Sequence, residues 1–406
     1  MKGLVHICCA PDSIYFLEKL KNDYKDYEWI GFFYDPNIHP KTEYDLRLVE
    51  TKRVCQKLGI PLIEGKYDDD AWLKKVEGLE KEPEKGKRCE VCFDIRLKES
   101  FELAKELGAN AITTTLLMSP KKSLNQINHV ASLFSKEYGV DFISVDYRKG
   151  GGVQIMHELT KLNEIYSQDY CGCIHGLFNQ RPDEEIFMWA KMSPGSKEEL
   201  LFIKSIRLLA ESMGFYTKEI NFSFLGWDLL NGYIFADDKP VPSYIRYYSK
   251  PTNGIVKANI DMSISKDNMF YLTKQNVKIV FSLEPIADIY DASSCFIVDE
   301  SYKEILLNAK KIKAHIKSEL SYKDSSILIV SKNPLKDVLF VKAYKTYEGY
   351  FDKPSFDVKD ILSHLKDDEA IAFVGAFDMG GYNRLTEFLD GKEISHNSGS
   401  LCNRIL

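Results

Sequence analysis

The chain has 406 residues, of which 44% are hydrophobic and 28% are charged, with 24 glycines and 14 prolines. This composition is typical of a folded globular protein and excludes a disordered or fibrous one, and the length predicts two domains. The net charge of −6 excludes a generic polyanion binder, but it allows an enzyme that binds RNA through a local basic patch. No apolar segment approaches the roughly 20 residues of a membrane span and no signal peptide is recognised, so we expect a cytoplasmic protein with no membrane partner.

The first half of the chain alternates strand-like and helix-like segments. An apolar strand at residues 5–8 leads to a helix at 13–23, and a strand at 29–34 leads to a helix that begins near Thr42, its predicted N-cap, and ends at Leu58. Further strands are predicted at 60–64, 111–116 and 142–145, and further helices at 87–107, 123–138 and 154–166. This order predicts an α/β fold with a doubly wound parallel sheet, in which ligands bind at the carboxyl ends of the strands.

The alternation ends at residues 180–197, a segment that contains Arg181-Pro182 and Met192-Ser-Pro-Gly-Ser196. Beyond it, an amphipathic helix is predicted at 198–213. Strand-like pieces follow at 232–235, 243–248, 277–281, 326–330 and 370–374. We therefore predict two domains, an α/β domain over residues 1–190 and a separate α+β domain over residues 196–406.

The nine cysteines are unevenly distributed. In a cytosolic chain, close pairs of thiols indicate metal or redox chemistry more often than disulfides. The spacing alone leaves zinc, a redox pair, iron–sulfur chemistry and chance open. It favours iron–sulfur chemistry, because six paired thiols and Asp12 exceed the four ligands of a structural zinc ion. The close pairs are Cys8-Cys9, Cys89-x-x-Cys92 and Cys171-x-Cys173, whereas Cys55, Cys295 and Cys402 stand alone.

The first cysteine pair lies in the sequence HICCAPDS, at the strand-to-helix turn where many α/β proteins bind phosphate. A phosphate loop needs glycines, but this turn has none, and Pro11 removes one backbone donor. The turn therefore predicts a metal-binding site, and we expect the helix N-terminus to lower the pKa of Cys8 and Cys9. Asp12 is either a further ligand or the cap of the helix that follows.

Several separated motifs resemble the QueH-type epoxyqueuosine reductases. They are HICCAPDS (6–13), KRCEVCFDIRL (87–97), the run at 112–123, SVDYRKGGG (144–152) and ELTKLNEIYSQDYCGC (158–173) with the following IHGL. The resemblance covers about residues 1–180 and implies a fold related to PP-loop and HUP-type domains whose nucleotide loop has been replaced. Many members have a third cysteine where this chain has Asp12, which places the ligand role of that residue in question.

The resemblance implies reduction of the epoxide of epoxyqueuosine at the tRNA wobble position, which yields queuosine. It also implies a 4Fe-4S cluster. Because the seven candidate ligands exceed the needs of one cluster, we further expect an additional mononuclear iron acting as a Lewis acid, with the division of the ligands left open. No flavin or nicotinamide fingerprint is recognised, so the electrons are expected from an external donor of the ferredoxin or flavodoxin type. The candidate ligands are Cys8, Cys9, Asp12, Cys89, Cys92, Cys171 and Cys173.

Asp35 and His39 are the predicted catalytic residues, because they follow the second strand in a segment similar to the family's pattern and could supply protons. The alternative for His39 is a solvated loop position. Other residues are candidate contacts to RNA, with an ion pair as the alternative for Arg96 and core packing as that for the tyrosines. These are Arg88, Arg96, Arg148 and Lys149 for phosphates and Tyr166 and Tyr170 for stacking on a base.

Two other functions remain open at this stage. One is a PP-loop-like tRNA sulfur-transfer enzyme, against which the missing glycine-rich loop weighs. The other is a non-catalytic, zinc-stabilised RNA-binding module. Residues 196–406 lie outside the resemblance, and we expect them to form an accessory domain that docks tRNA or a partner.

Overall fold

The computed structural model describes residues 1–180, 197–241, 243–247, 254–258, 260–266, 269–272, 277–281, 294–298, 302–334, 340–345 and 357–374. The chain divides into two compact units, Met1–Pro182 and Asp183–Leu406. Residues 181–196 of the predicted break, and Cys402, lie outside the described residues. None of the described helices combines the length and apolar character that a membrane crossing requires.

The first unit contains a five-stranded sheet in the order β3-β2-β1-β4-β5, and all of its strand pairs are parallel. Its strands are β1 (Lys2–Ile7), β2 (Glu28–Phe33), β3 (Leu62–Glu64), β4 (Ala111–Thr114) and β5 (Asp141–Phe142). Its helices are α1 (Ala10–Asp23), α2 (Lys41–Leu58), α3 (Asp69–Lys75), α4 (Lys87–Glu106), α5 (Leu124–Tyr138), α6 (Gly152–Leu162) and α7 (Ile174–Gln180). The predicted doubly wound parallel α/β sheet is confirmed.

The central strand β1 has the near-continuous apolar sequence of a strand that is covered on both faces. Leu4, Val5 and Ile7 are completely buried, as expected when helices pack on the two sides of a parallel sheet. The core continues into α1 through Phe16 and Leu17 and into α4 through Phe101. This core holds the carboxyl end of β1 in place, where the first cysteine pair lies.

Several elements differ from the sequence prediction, among them α1, which begins at Ala10 and not at residue 13. The N-cap of α2 is Pro40 rather than Thr42, and the helix begins at Lys41. The helix α3 was not predicted, since seven residues are too few to show a helical hydrophobic period; Asp68 caps it by accepting from the Ala71 amide at 3.2 Å. The strand β5 has only two residues, since the chain pairs with β4 at Asp141 and Phe142 alone.

The second unit contains helices and two sheets of mixed strand direction. One sheet has the order β10-β11-β12-β13-β8, and the other has the order β15-β16-β14-β6-β7 with β9 also paired to β14. The strands are β6 (Tyr216–Ala236), β7 (Lys239–Val241), β8 (Ser243–Tyr247), β9 (Gly254–Ala258), β10 (Ile260–Lys266), β11 (Met269–Leu272), β12 (Val277–Phe281), β13 (Ser294–Val298), β14 (Ile312–Ser331), β15 (Phe340–Lys345) and β16 (Glu369–Val374). The helices are α8 (Lys197–Ser212), α9 (Lys303–Leu307) and α10 (Val358–Ser363).

The strands β6 and β14 are much longer than the pieces predicted from sequence. They pair antiparallel from Tyr216 opposite Ser331 to Ala236 opposite Ile312, with one register shift near Lys317. The middle of β14 is rich in serine, lysine and aspartate, so it carries no apolar alternation that a sequence pattern could detect. Pairing along the partner strand satisfies its backbone groups and extends the strand through this polar region.

Candidate metal centre

Cys8, Cys9 and Asp12 bring their ligand atoms within 4.8 Å of one another, and no other such group of three occurs in the described part of the chain. The Sγ atoms of Cys8 and Cys9 are 3.7 Å apart, and the Cys8 thiol donates to Oδ2 of Asp12 at 3.5 Å. All three side chains are buried. The hydroxyl of Thr115, just beyond β4, accepts from the Cys8 amide at 3.0 Å and donates to its sulfur at 3.3 Å, which orients this ligand.

The protonation of Cys9 differs from the sequence expectation. The pKa of Cys9 is raised well above its usual value by its hydrogen bond with Cys8, by burial and by the nearby Asp12 carboxylate. These influences outweigh the helix N-terminus, which was expected to lower it. A cation bound here would reverse the balance, because a coordinating thiol is deprotonated by its metal.

Asp12 lies in the first turn of α1, whereas the N-cap position is occupied by Cys9. Burial raises the pKa of Asp12, and hydrogen bonds from the Cys9 and Cys8 thiols oppose that shift. The carboxylate therefore faces the two thiols and does not occupy the capping position. This placement supports a ligand role over the capping alternative.

The other two cysteine pairs lie beside a small apolar cluster. Cys92, in α4, and Cys173, just before α7, pack with the buried side chains of Val76 and Trp72. Cys171 contacts the same cluster, and Cys89 lies one helical turn before Cys92, where its sulfur accepts from the Lys85 amide at 3.3 Å. The predicted helical start at the Cys-x-x-Cys motif is confirmed.

Three cations connect the cysteine pairs electrostatically. Lys122 is influenced by Cys171, Cys89 and Cys92, which raise its pKa although burial opposes the charged form. Arg96 interacts with Cys92 and Cys8, and Arg47 interacts with Cys9. The three pairs all lie at the carboxyl edge of the sheet, but among the described residues only Cys8, Cys9 and Asp12 bring their ligand atoms within 4.8 Å of one another.

The thiols of the third pair differ in acidity. The pKa of Cys171 is well below its usual value because the Cys173 thiol donates to it, with further help from the charges of Lys122 and Arg47. The pKa of Cys173 is correspondingly raised. Cys171 is therefore the readiest of the thiols in this pair to bind a metal as thiolate.

A buried polar network attaches the Cys171–Cys173 loop to α2. Arg47 donates from Nε to Oε1 of Glu43 at 2.7 Å and from Nη2 to the carbonyl of Tyr170 at 3.1 Å. The Tyr166 hydroxyl donates to Oε2 of Glu43 at 2.8 Å, and the Tyr166 amide donates to Oε2 of Glu50 at 2.8 Å. The residues before Cys171 therefore have little freedom to move, and the third cysteine pair is held against the helix that follows β2.

Gly172, between the two cysteines, has a φ of +99°. A Cβ atom there would lie 2.8 Å from Cγ1 of Ile38 and 3.2 Å from Nη1 of Arg47, and the Gly172 carbonyl accepts from the His39 amide at 2.8 Å. Only glycine combines this backbone conformation with so close an approach. The loop after β2 and the third cysteine pair are therefore in direct contact.

The predicted catalytic residues Asp35 and His39 are both buried at this edge. Asp35 forms an ion pair with Arg96; burial raises its pKa to about 7, against the opposing charges of Arg96, Arg47 and Lys122. Burial lowers the pKa of His39, whose Nδ1 donates to the Asn37 carbonyl at 2.8 Å. His39 is thus not the solvated loop residue of the alternative reading, and Asp35 is the better placed of the two to hold a proton at neutral pH.

Several candidate RNA contacts have other partners. Arg88 is buried and donates from Nη1 to the carbonyls of Leu79, Glu80 and Glu82. Arg96 forms an ion pair with Asp35, which is the alternative given for it above. Tyr170 is buried and donates to the His39 carbonyl. These side chains, together with Tyr166, are used to build the site, so they are not available to phosphates or bases. Lys149 is exposed, whereas Arg148 is 22% exposed and pairs with Asp146.

The sequence interpretation missed Arg47, Lys122 and Trp72. Trp72 is 1% exposed, with its ring centroid 5.6 Å from that of His39 and 6.0 Å from that of His175. Lys122 falls within a motif that was noted only for its resemblance. None of the three has a spacing that links it to a cysteine, because tertiary packing alone brings them to the site.

Comparison with known proteins identifies relatives of this chain. The family profile described as "Epoxyqueuosine reductase QueH" matches residues 4–179. "Epoxyqueuosine reductase QueH" of Helicobacter pylori is 36% identical over 251 residues, which cover 59% of this chain and 68% of that protein. The Histophilus somni protein of the same name is 41% identical over 178 residues, which cover 43% of this chain and 72% of that protein.

Among solved structures, the "U34-tRNA thiolase NcsA from Methanococcus maripaludis with its [4Fe-4S] cluster" aligns with 14% identity and a TM-score of 0.29. The alignment covers 52% of this chain and 73% of that one. A match at this level does not bear on the function of the chain.

Proposed function

Since the chain belongs to the epoxyqueuosine reductase QueH family, we propose that it is the oxidoreductase that converts epoxyqueuosine in tRNA to queuosine by means of an iron–sulfur cluster. The observation that carries the proposal is the buried group of Cys8, Cys9 and Asp12 at the carboxyl end of β1. Two further thiol pairs lie at the same edge of the sheet. Family membership supports the reaction, and the donor atoms of the site support the cofactor.

The donor set fits an iron–sulfur cluster. Thiolates are the usual protein ligands of such clusters, and the chain directs six of them and one carboxylate to one edge of the sheet. We propose that the cluster takes its ligands from Cys8, Cys9, Asp12, Cys89, Cys92, Cys171 and Cys173, and that the remaining donors hold an additional mononuclear iron. When bound, the cluster supplies one-electron transfers and the adjacent iron supplies a Lewis acid.

The reaction balance determines what the protein itself must provide. Opening the epoxide to the alkene consumes two electrons and two protons and releases the oxygen as water. The electrons come from an external donor of the ferredoxin or flavodoxin type. Asp35, with a pKa of about 7, holds one proton inside a site from which water is largely excluded, and solvent supplies the other. His39 shapes the loop after β2 through its bond to Asn37.

The cations Arg47, Arg96 and Lys122 have an electrostatic role in this proposal. A set of thiolates and a carboxylate is strongly negative, and burying such charge without compensation is unfavourable. Together, the three cations interact electrostatically with thiols of all three cysteine pairs, although each cation does so with only some of them. They stabilise the deprotonated ligands and the bound cluster.

We further propose a division of labour between a catalytic domain at residues 1–190 and an accessory domain at residues 196–406. The family profile ends at residue 179, and the compact units divide at Pro182. The second domain would dock tRNA or a protein partner in the cytoplasm. Truncation after the first domain tests this idea: residual reductase activity with weakened tRNA binding supports it.

Genetic complementation tests the proposed reaction. In a host that lacks its epoxyqueuosine reductase, the full chain should restore queuosine in tRNA, and the Cys8→Ser and Cys171→Ser variants should leave epoxyqueuosine accumulated. Protein purified without oxygen should contain iron and sulfide. Colourless protein that binds only zinc, or tRNA that keeps its epoxide in the presence of the intact chain, would contradict the proposal.

A further inference from the structure

Three exposed lysines lie on three successive loops at the carboxyl edge of the first sheet. Lys85 precedes α4, Lys121 follows β4 and Lys149 follows β5. All three side chains are exposed, and Lys149 is 83% exposed. We call these three residues the lysine rim.

Hydrogen bonds join the loops that carry the lysine rim. The side-chain amide of Gln126, in the first turn of α5, donates to the Lys85 carbonyl at 2.9 Å. Arg148 donates from Nη1 to the Ser119 carbonyl at 3.5 Å, which connects the loop after β5 to the loop after β4. The three lysines are thus presented by connected loops and form one surface.

The rim lies beside the cysteine pairs. The Lys85 amide donates to the sulfur of Cys89 at 3.3 Å, and Lys121 lies on the segment after β4, in which Thr115 contacts Cys8. A ligand lying on the rim would therefore place the group attached to it near the cysteines.

The charge of this edge is asymmetric. In the described part of the chain, Lys85 and Lys121 form no ion pair, and Lys149 has only a 3.8 Å contact with Asp146. At the other end of the sheet order β3-β2-β1-β4-β5, Asp68 caps α3 and Asp69 and Asp70 lie in its first turn. Three lysines, Lys66, Lys74 and Lys75, flank these acids, and the loop of Lys85 also carries Glu82 and Glu84. The attraction of a polyanion to the β4–β5 half therefore comes from the loops after β4 and β5, which together carry four cations and one acid.

We propose that Lys85, Lys121 and Lys149 form the docking surface for the phosphate backbone of the tRNA anticodon arm. The inference rests on the proposed function, since it takes tRNA as the substrate, and it adds where that substrate lies. It also replaces Arg88 and Arg96, which are buried, as the residues that neutralise RNA phosphates. Flexible lysines suit this role because phosphate contacts position a nucleic acid without reading its sequence.

The test compares two charge-matched triple variants of the full chain. In the rim variant, Lys85, Lys121 and Lys149 are each replaced by Gln. In the control variant, Lys25, Lys105 and Lys136 are replaced by Gln; these exposed lysines lie at the opposite, amino edge of the sheet. Both variants lose the same net charge, so a difference between them reports the position of the charge.

Binding is measured by fluorescence anisotropy with labelled tRNA that carries epoxyqueuosine, at several salt concentrations. We expect the rim variant to bind at least about tenfold more weakly. The negative slope of log K against log salt should become shallower by about 2, since each lost phosphate contact removes about 0.7. Its KM should rise while kcat stays within about twofold, and its iron and sulfide content should not change. The control variant should resemble the unmodified protein.

Two results separate the inference from the proposed function. If the unmodified chain reduces the epoxide but the rim variant binds tRNA as tightly as the control variant, the lysine rim is not the docking surface and the proposed function stands. If the unmodified chain neither binds this tRNA nor reduces its epoxide, the proposed function fails and the inference fails with it.

Discussion

Replacing Tyr166 with Phe should destabilise the packing of the third cysteine pair on α2. The Tyr166 hydroxyl donates to Glu43 at 2.8 Å, and the Glu43 side chain is completely buried. A buried hydrogen bond to a charged group contributes about 1.5–3 kcal/mol. Because Phe keeps the ring and removes only the donor, we expect this loss with little change in apolar packing.

Native-state hydrogen exchange of the slowest amides in α2 measures the effect within the first unit. A loss of about 1.5–3 kcal/mol corresponds to about 10- to 150-fold lower protection. The matched control is Tyr138→Phe, whose hydroxyl donates to Glu102 at a similar 2.9 Å but on the surface; there we expect about twofold or less. Protection in Tyr166→Phe within twofold of the unmodified protein, or equal losses in the two variants, would refute the reasoning.

Three further predictions concern the site itself. Burial raises the pKa of Asp35 to about 7, so its acid form dominates below pH 7. We therefore expect reductase activity to fall as pH rises through 7, and the activity of Asp35→Asn to be low at all pH values. A pH profile like that of the unmodified protein in this variant would exclude Asp35 as the proton donor. Gly172→Ala should reduce the iron content, through a backbone strain of about 1–3 kcal/mol and the contact of the new Cβ with Ile38 beside the cysteines. The control Gly78→Ala has a similar φ of +82° but open space around it, so this variant should keep its iron. Asp12→Asn should lose iron and sulfide if the carboxylate is a ligand, and iron and sulfide counts equal to those of the unmodified protein would rule that role out.

The fold of the first unit and the grouping of Cys8, Cys9 and Asp12 were predicted because they depend on local patterns. Apolar runs such as Leu4–Ile7 predict buried strands, and pairs of cysteines separated by two residues or fewer lie close in any local conformation. The polar middle of β14 escaped prediction since cross-strand pairing, which sequence periodicity does not show, stabilises it. Arg47 and Lys122 escaped for a related reason, as their neighbours at the site are distant in sequence.

The predictions that proved wrong concern local rules that the surroundings override. The helix N-terminus was expected to lower the pKa of Cys9, but its hydrogen bond with Cys8, burial and Asp12 raise it. Arg88 was expected to contact phosphate, but the fold directs its guanidinium to three backbone carbonyls. In both cases the deciding partners are specified by tertiary contacts, which the motif alone does not contain.

The most direct test of the account is a single-turnover reaction of the full chain, reconstituted with iron and sulfide without oxygen, with tRNA that carries epoxyqueuosine. After addition of dithionite and digestion of the tRNA, mass spectrometry of the nucleosides should show epoxyqueuosine replaced by queuosine in proportion to the enzyme. An unchanged epoxyqueuosine content, in protein that has bound iron and sulfide, would contradict the central claim.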